Sequence, residues 1–598
     1  MIAQNFLGAT LFCLFSIHSV SAMPVIQFND LVSDPKVKSK KVEKATLEFL
    51  VQSCNEQSLV KARDTVQQLL VSKLRFLNVK RVNDDQGLTL EYLINSYQFL
   101  NLCNENSLGF SGDADFISFL LSSHKKILKL SEGIDARDDI PRVFEILKLL
   151  FEQEVAADRD EFFDLMLAMA IVWDQPRRDI HGQIGQYNKL PYEVDLSKRY
   201  AFYKRIYDKN KAKMKYRYLD YSDLIYVVDT PIPLAEMEWV QKKVKGTLSA
   251  WGKKYASIRY DTPRLNKGLY SWPRSQGPYT LASIKEYGGI CVDQAYYCTM
   301  TARAFGIPAL YFSGQGKTGG HAWFSYMKKK DSWTLDIGRY GGSSDYVTGY
   351  ARNPQTNGQM SDHEVAMVYN RAFARSNYKK GHKFQLYADL MLDSGYTDQA
   401  LTLAQYATGL APLDVECWNS SIKCAKKTNV NELILAVFDG KIKALKKYPD
   451  LIVDAQLEKA DLLNKMGRGD EADKVLSTAR RKVGKGRDDL ARDLALKQMN
   501  TLIEQKKFKE ARSCMEKLIK DQRSEQAKLL DFIKIYLKMT KKTKQTKEAL
   551  RFISPLIKSM YKKFHTSYRN HAVDLLASAY MNNGDDKTAN KIRDKYKK

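Results

Sequence analysis

The 598-residue chain is poor in the residues and segments that mark several protein classes. Its 8 cysteines, 15 prolines and 32 glycines are too few for a disulfide scaffold, a collagen-like chain or a flexible linker. After residue 22 it contains no apolar run long enough to cross a bilayer, which excludes a polytopic membrane protein. The remaining composition, 44% hydrophobic and 27% charged, is typical of a globular protein with several domains.

The excess of basic over acidic residues lies mostly in the last third of the chain. Residues 371–598 contain 48 basic and 28 acidic side chains, so this third accounts for +20 of the total formal charge of +26. The excess indicates either a solvated lysine-rich surface or a binding surface for an acidic protein or envelope partner. Nucleic acid is the less favoured partner, because no stacking or groove-reading motif accompanies the charge.

The N-terminus has the pattern of a signal peptide. An uncharged apolar run, Phe6–Ile17, precedes small residues at Val20 and Ala22, the −3/−1 pattern of signal peptidase sites. The alternative is a membrane anchor, but a run of about 12 residues is too short to span comfortably. We therefore expect cleavage after Ala22, a secreted or periplasmic protein, and no integral membrane span afterwards. Removing Cys13 leaves seven cysteines, an odd number that flags a free reactive thiol.

Periodicity and glycine content divide the mature chain into four segments. Residues 23–175 have helical spacing of apolar residues and predict an N-terminal helical domain without recognisable chemistry. Residues 176–230 are rich in Tyr, Lys and Arg and are interpreted as an irregular connector. Residues 231–376 are glycine-rich with strand-like alternation, which predicts an α+β core. Residues 377–598 are helical again and repeat internally.

The repeat is visible in the spacing of small residues. Ala388, Gly395, Ala400 and Ala407 are offset by 7, 5 and 7 residues, and the same offsets recur from Ala460. Small residues let two helices approach closely, and the glycine suits the turn between them. The unit resembles the tetratricopeptide repeat, which implies an α-helical solenoid that binds proteins. Six units are predicted from the small position of the second helix: Ala400, Val437, Ala472, Ala511, Ala549 and Ala589.

The third segment contains four ordered motifs within about 50 residues. They read GGIC at 288–291, GIP at 306–308, GHAW at 320–323 and WTLD at 333–336. This series resembles the transglutaminase-like core, a branch of the papain-like cysteine enzymes. The resemblance implies a Cys–His–Asp triad on Cys291, His321 and Asp336. One departure is Leu310, in a region where many family members have arginine near the substrate cleft.

The residues around Cys291 support a nucleophile independently of the resemblance. Two glycines precede it, and a helix is predicted from Cys291 to about Phe305, ended by Gly306. A thiol at a helix N-terminus is expected to have a lowered pKa, because the helix dipole stabilises its thiolate. Cys298 lies on the same helix stripe and is interpreted as a packing residue.

A hairpin is predicted to bring the other two residues together. With Lys328–Asp331 as the turn, His321 lies opposite Gly338 and Asp336 lies opposite Trp323. His321 and Asp336 then share one face as diagonal neighbours, about 7–8 Å apart at the backbone. The histidines at 124 and 181 are each isolated in the sequence, which is typical of structural residues.

The implied reaction is acyl transfer through a thioester on Cys291, from a glutamine side chain or a peptide bond to an amine or to water. The backbone N–H of Cys291 is one expected oxyanion donor, and Trp272, Gln276 and Trp323 are candidates for the second. No zinc, phosphate-loop or calcium-loop spacing occurs, so no cofactor and no metal is predicted. The alternative function is a non-catalytic protein-binding scaffold built on the helical repeats.

Overall fold

The computed structural model describes residues 25–108, 113–177, 179–184, 194–315, 320–339, 348–361, 364–366, 376–483, 488–521, 523, 526–564 and 566–596. The predicted signal peptide lies outside these residues. The chain forms two compact units, Met1–Ala136 and Arg137–Lys598, and each is described by itself. Among the helices in the described ranges, none combines the length and the apolar character needed to cross a membrane.

The described part of the first unit is helical, as predicted. Its helices are α1 (Val25–Ser33), α2 (Ser39–Asn55), α3 (Leu59–Arg75), α4 (Asp84–Glu105), α5 (Ala114–Leu120) and α6 (His124–Gly133). Apolar residues at helical spacing face inward, for example Val42, Phe49 and Leu50 of α2. Helix α4 begins where the Asn83 side chain accepts a hydrogen bond from the backbone N–H of Gln86.

Eight described helices precede the sheet of the second unit. They are α7 (Ile140–Gln153), α8 (Phe163–Trp173), α9 (Leu196–Asp208), α10 (Tyr221–Val228), α11 (Leu234–Lys243), α12 (Thr262–Asn266), α13 (Leu281–Tyr287) and α14 (Cys291–Ala304). The expectation of an irregular connector at 176–230 is wrong where α9 and α10 lie. Tyr200, Tyr203 and Tyr207 are buried at helical spacing on α9, so aromatic residues act there as core residues.

The α+β part contains a five-stranded antiparallel sheet. Its strands are β1 (Ala309–Gln315), β2 (Gly320–Lys329), β3 (Ser332–Ile337), β4 (Thr348–Arg352) and β5 (Gln359–Ser361), in the order β3-β2-β1-β4-β5. Helix α14 packs against β1 and β2. This arrangement brings the N-terminal end of α14 to the beginning of β2, and the two predicted strands of the hairpin are confirmed.

The C-terminal part consists of helix pairs, as the repeat predicts. Its described helices are α15 (Ser376–Asp393), α16 (Thr397–Leu410), α17 (Val415–Lys427), α18 (Asn431–Ala444), α19 (Pro449–Lys465), α20 (Gly469–Val483), α21 (Asp488–Glu504), α22 (Phe508–Asp521), α23 (Gln526–Lys542), α24 (Thr546–Met560), α25 (Thr566–Asn582) and α26 (Asp586–Tyr596). All six predicted small positions are buried on the second helix of a pair. Consecutive pairs pack on one another, as in tetratricopeptide-like repeats.

The turn inside each pair needs one residue in the left-handed region, two positions before the second helix. Gly395, Gly467 and Gly584 occupy this position with φ between +74° and +86°. In the other three pairs it is occupied by Asn429, Lys506 and Lys544, with φ between +56° and +58°. The units that looked irregular in sequence therefore keep the same turn without glycine.

We expect opposite stability changes from exchanging these turn residues. Gly467→Ala should lower the free energy of unfolding by about 1–2 kcal/mol, because a Cβ is strained in the left-handed region. A Cβ on Gly467 would meet no atom within 4 Å, so the backbone is the cause. Lys544→Gly should raise stability by up to about 1 kcal/mol. Urea unfolding monitored by circular dichroism measures the free energy of unfolding of both variants. If the two substitutions change it in the same direction, the helix pairs do not share this turn.

Candidate active site

Cys291 is the first residue of α14, and the turn before it is held by a carboxylate. The backbone N–H of Ile290 donates to Oδ2 of Asp293 at 2.8 Å, which satisfies one of the open donors of the helix start. Gly289 lies directly against this carboxylate, since a Cβ on Gly289 would come within 2.4 Å of the Asp293 Cβ. Gly289, two residues before Cys291, therefore permits the turn to pack closely against the Asp293 side chain.

Three backbone N–H groups favour the thiolate of Cys291. They belong to Ala322, Val292 and Cys291 itself. Two come from the start of α14, and the third is the residue after His321 on β2. The structure thus brings the predicted nucleophile to the strand segment that contains the predicted base.

The expectation of a lowered Cys291 pKa is wrong for this structure. Only 7% of the residue is exposed, and burial raises the pKa of its thiol above the usual 9.0 despite the three N–H groups. Water can no longer solvate the thiolate, and this loss exceeds the stabilisation by the helix N-terminus. Burial therefore favours the neutral thiol in the resting state.

The alkylation rate of Cys291 should consequently depend steeply on pH. Because burial raises the pKa of the Cys291 thiol, the iodoacetamide rate should keep rising by about tenfold per pH unit from pH 6 up to at least pH 8. Mass spectrometry of the peptide that contains Cys291 measures this rate, and Cys298→Ala is the control because Cys298 is fully buried. A rate that is flat below pH 9 would show a low-pKa thiolate instead.

The His321 ring is held by a backbone carbonyl. Nε2 lies 2.6 Å from the Gly338 oxygen, and a carbonyl only accepts, so Nε2 carries the proton. Burial lowers the pKa of His321, which favours the neutral ring at pH 7. In that tautomer the lone pair lies on Nδ1, and His321 has the protonation state of a general base.

Asp336 lies at the surface and pairs with another residue. Its side chain is 67% exposed, and its Oδ1 accepts from Nη1 of Arg339 at 3.0 Å. The Arg339 guanidinium lies 4.9 Å from the centre of the Trp323 ring. The structure therefore does not join the Asp336 carboxylate to the His321 ring, and the role predicted for Asp336 stays a prediction.

The predicted hairpin register is wrong, which explains part of this difference. Lys329 pairs with Ser332, leaving a two-residue turn at Lys330 and Asp331 rather than a four-residue one. Asp331 adopts φ of +53°, a conformation that Asp tolerates. The register then shifts twice along the hairpin, so counting residues from the turn does not locate Asp336.

The three candidates for a second oxyanion donor differ in the structure. Trp272 already donates its Nε1–H to the Gly277 oxygen at 3.0 Å. Two atoms have no hydrogen-bond partner among the described residues: the side-chain oxygen of Gln276 and the indole Nε1 of Trp323. Trp323 also stacks beside His321, with ring centres 6.3 Å apart. It is therefore the candidate with both an available donor and the right neighbour.

A buried polar cluster behind Cys291 was missed in the sequence. Asp293 accepts from Arg264 at 2.8 Å and from the Tyr279 hydroxyl at 3.1 Å. The same hydroxyl lies 2.9 Å from Nε2 of His181, and burial lowers the pKa of His181 to about 3. The spacing of Asp293 from the helix start was a usable signal, whereas nothing in the sequence marked His181.

In the described part of the chain, no three His, Cys, Asp or Glu side chains are grouped as metal ligands would be. The seven cysteines from Cys54 to Cys514 are all buried free thiols. Cys298 is fully buried on α14, which confirms the prediction that it is a packing residue.

Comparison with known proteins finds no matching family model and no matching curated protein. One similar solved structure is a Signal Transduction ATPase with Numerous Domains protein with a tetratricopeptide repeat sensor, from Pyrococcus horikoshii. The alignment has 10% sequence identity and covers 89% of this chain and 71% of that chain, with a TM-score of 0.24. At this TM-score the similarity does not establish a shared fold, so the helix pairs of this chain rest on its own structure.

Proposed function

We propose that the chain is an exported cysteine enzyme of the transglutaminase-like type, acting on protein or peptide amides through a thioester on Cys291. One observation carries the proposal: the backbone N–H of Ala322, next to His321, faces the Cys291 sulfur at a helix N-terminus. The nucleophile and backbone donors lie there, and the proposed base is the residue before Ala322 on β2, which is the set of groups that acyl transfer requires. The four ordered sequence motifs support the same class.

The chemistry follows from the protonation states. The imidazole nitrogen of His321 that does not face Gly338 takes the thiol proton as the sulfur attacks the amide carbon. The N–H of Cys291 stabilises the oxyanion, with Trp323 as the proposed second donor. The amide C–N bond then breaks, and protonated His321 gives the proton to the leaving ammonia or amine. Attack by water or an amine on the thioester releases the product and restores the thiol.

A raised thiol pKa fits general-base activation at the moment of attack. An ion pair of a Cys291 thiolate and a His321 imidazolium in the resting enzyme would need a stable thiolate. Burial of Cys291 instead favours the neutral thiol. Burial also lowers the pKa of His321, so the ring is ready to accept a proton at neutral pH. We therefore expect the proton transfer to occur together with carbon–sulfur bond formation.

The second candidate function is a protein-binding scaffold without catalysis. The pairing of Asp336 with Arg339 at the surface favours it, because in this pairing the Asp336 carboxylate does not hold the His321 ring. The six stacked helix pairs suit partner binding in either case. The two functions differ in whether any amide is turned over.

Incubation with a labelled primary amine and a glutamine-rich protein distinguishes them. The enzyme proposal predicts amine incorporation, glutamine deamidation or peptide cleavage by the purified mature protein, detected by mass spectrometry. The scaffold predicts none of these and stable binding of a partner instead. If the folded protein with reduced cysteines catalyses none of these three reactions, the enzyme proposal is wrong.

The basic repeats are proposed to hold an acidic protein or envelope partner near the cleft. Exposed charges attract over about 8 Å at 0.15 M salt. Raising NaCl from 50 to 300 mM should therefore lower activity on an acidic macromolecular substrate several-fold. Activity on a short neutral glutamine peptide should change little, and a non-ionic osmolyte is the control. Equal salt dependence of both substrates would show that the charge is only a solvated surface.

A further inference from the structure

A cavity of about 320 Å³ lies in the first unit, where the ends of four helices meet. Its wall contains residues from the last turn of α1, the segment between α1 and α2, the first turn of α2, the last turn of α3 and the first two turns of α4. The volume falls within the roughly 300–1,000 Å³ of small-molecule pockets. The cavity is therefore large enough for a small organic ligand.

Apolar side chains form one part of this wall. Val32, Val42 and Leu90 are buried members of the helical core. Pro35 and Val37, in the segment between α1 and α2, line the same cavity. Aliphatic groups of a ligand would leave water on contact with these side chains, which is favourable.

The carboxylate and amide oxygens of the wall already serve the protein. Each of the four side chains that has such an oxygen accepts a hydrogen bond from a nearby part of the first unit. The bonds are Lys36 N–H to Asp34 at 2.8 Å, Ser39 hydroxyl to Asp85 at 2.7 Å, Gln86 N–H to Asn83 at 2.9 Å and Asn83 N–H to Gln86 at 3.4 Å. Asp85 also pairs with the Lys38 ammonium at 3.4 Å.

The donors of the wall are still available. Lys73, in the last turn of α3, is partly buried, and within the described ranges its ammonium has no ion-pair or hydrogen-bond partner. Burial lowers the pKa of Lys73, because the ammonium loses solvation without gaining a carboxylate. The NH₂ groups of Asn83 and Gln86 likewise have no protein acceptor among the described residues. Such a wall favours a ligand that accepts hydrogen bonds and carries negative charge.

We propose that this cavity binds a small aliphatic carboxylate, with its head at Lys73 and its tail on Val32, Val42 and Leu90. The two carboxylate oxygens can accept from the Lys73 ammonium and from an amide NH₂ of the same wall, and a charge-assisted bond of this kind is strong. The buried apolar side chains favour an acid with a hydrocarbon tail over a bare inorganic anion. This site lies in the first unit, whereas Cys291 belongs to the second. The inference therefore goes beyond the proposed chemistry and does not depend on it.

Isothermal titration calorimetry of the full chain tests the ligand class with matched probes. Hexanoate should bind. Hexanamide has the same shape without the charge, and acetate has the charge without the tail, so each should bind at least about tenfold more weakly. Equal affinity of hexanoate and hexanamide would mean that the site does not select an anion, and equal affinity of hexanoate and acetate would mean that the apolar wall is unused. Either result overturns the proposal, as does absence of hexanoate binding or tighter binding of inorganic phosphate.

Variants of two lysines on α3 locate the site. Lys73→Met removes the charge and keeps the length of the side chain, so hexanoate should bind at least about tenfold more weakly. Lys73→Arg keeps the charge and should stay within about threefold of the wild type. Lys61→Met is the matched control, because Lys61 is exposed on the same helix and does not line the cavity.

The thermal unfolding midpoint is recorded for each variant. It should not fall in Lys73→Met, because in the described ranges the Lys73 ammonium has no partner to lose. Unchanged hexanoate affinity in Lys73→Met, or an equal loss in Lys61→Met, overturns the assignment to this cavity. If Lys73→Met is unstable, Lys73→Arg decides through its preference for hexanoate over hexanamide, and loss of that preference in a folded arginine variant overturns the proposal.

Discussion

Replacing Cys291 with alanine is expected to lower the rate of amine incorporation or amide hydrolysis by at least about 1,000-fold. The sulfur is the atom that forms the acyl bond in the proposed reaction, and no other described side chain at the start of α14 replaces it. Continuous release of ammonia from a glutamine peptide measures the rate. Cys298→Ala is the matched control on the same helix, and its rate should stay near that of the wild type.

His321→Asn should produce a loss of similar size, and the double variant should lose little more, because nucleophile and base act as a unit. Additive losses would contradict a shared proton transfer.

Asp336→Asn is expected to lower the rate much less than His321→Asn. Since the Gly338 carbonyl already holds the ring and Asp336 pairs with Arg339, we expect less than about a tenfold loss. A loss near 10,000-fold, typical of a triad carboxylate, would show that Asp336 reaches His321 during turnover.

Local signals predicted much of this molecule. The helix that begins at Cys291 and ends before Gly306 depends on residues within a few positions of each end. The six helix pairs follow from a spacing that recurs in the chain, and even the pairs without glycine keep the left-handed turn at Lys506 and Lys544. Each of these features is decided by residues close together in sequence.

Features that depend on distant packing were not predictable in this way. The hairpin contains two register shifts. Counting residues outward from its turn therefore does not give the partner of Asp336. The pKa of Cys291 depends on how completely the sheet covers α14, which the helix dipole argument omits. His181 joins Asp293 through Tyr279, a contact between residues about 100 positions apart.

The largest effect on stability is expected from Asp229→Asn. Asp229 is 1% exposed and accepts from Arg177, Arg303 and Arg352. Without its charge, the three guanidiniums of the second unit lose the carboxylate that they share. Breaking a buried pair in this way costs about 3–5 kcal/mol. All seven tryptophans lie in the second unit, so tryptophan fluorescence during urea unfolding measures the loss there.

Asp336→Asn is the matched control. The Asp336–Arg339 pair is largely exposed on the carboxylate side, so its loss should lower the free energy of unfolding by less than about 1 kcal/mol.

The pH dependence of the free energy of unfolding is a second measurement of the role of Asp229. Burial alone would raise the pKa of Asp229, but the three arginines outweigh it and hold that pKa well below its usual range. The stability contributed by this depressed pKa is present above the pKa of the unfolded chain, near 3.9, and disappears as the pH falls toward the folded value. The free energy of unfolding of the wild type should therefore fall more steeply below pH 4 than that of Asp229→Asn. Parallel curves would mean that Asp229 is not the carboxylate that holds the three arginines together.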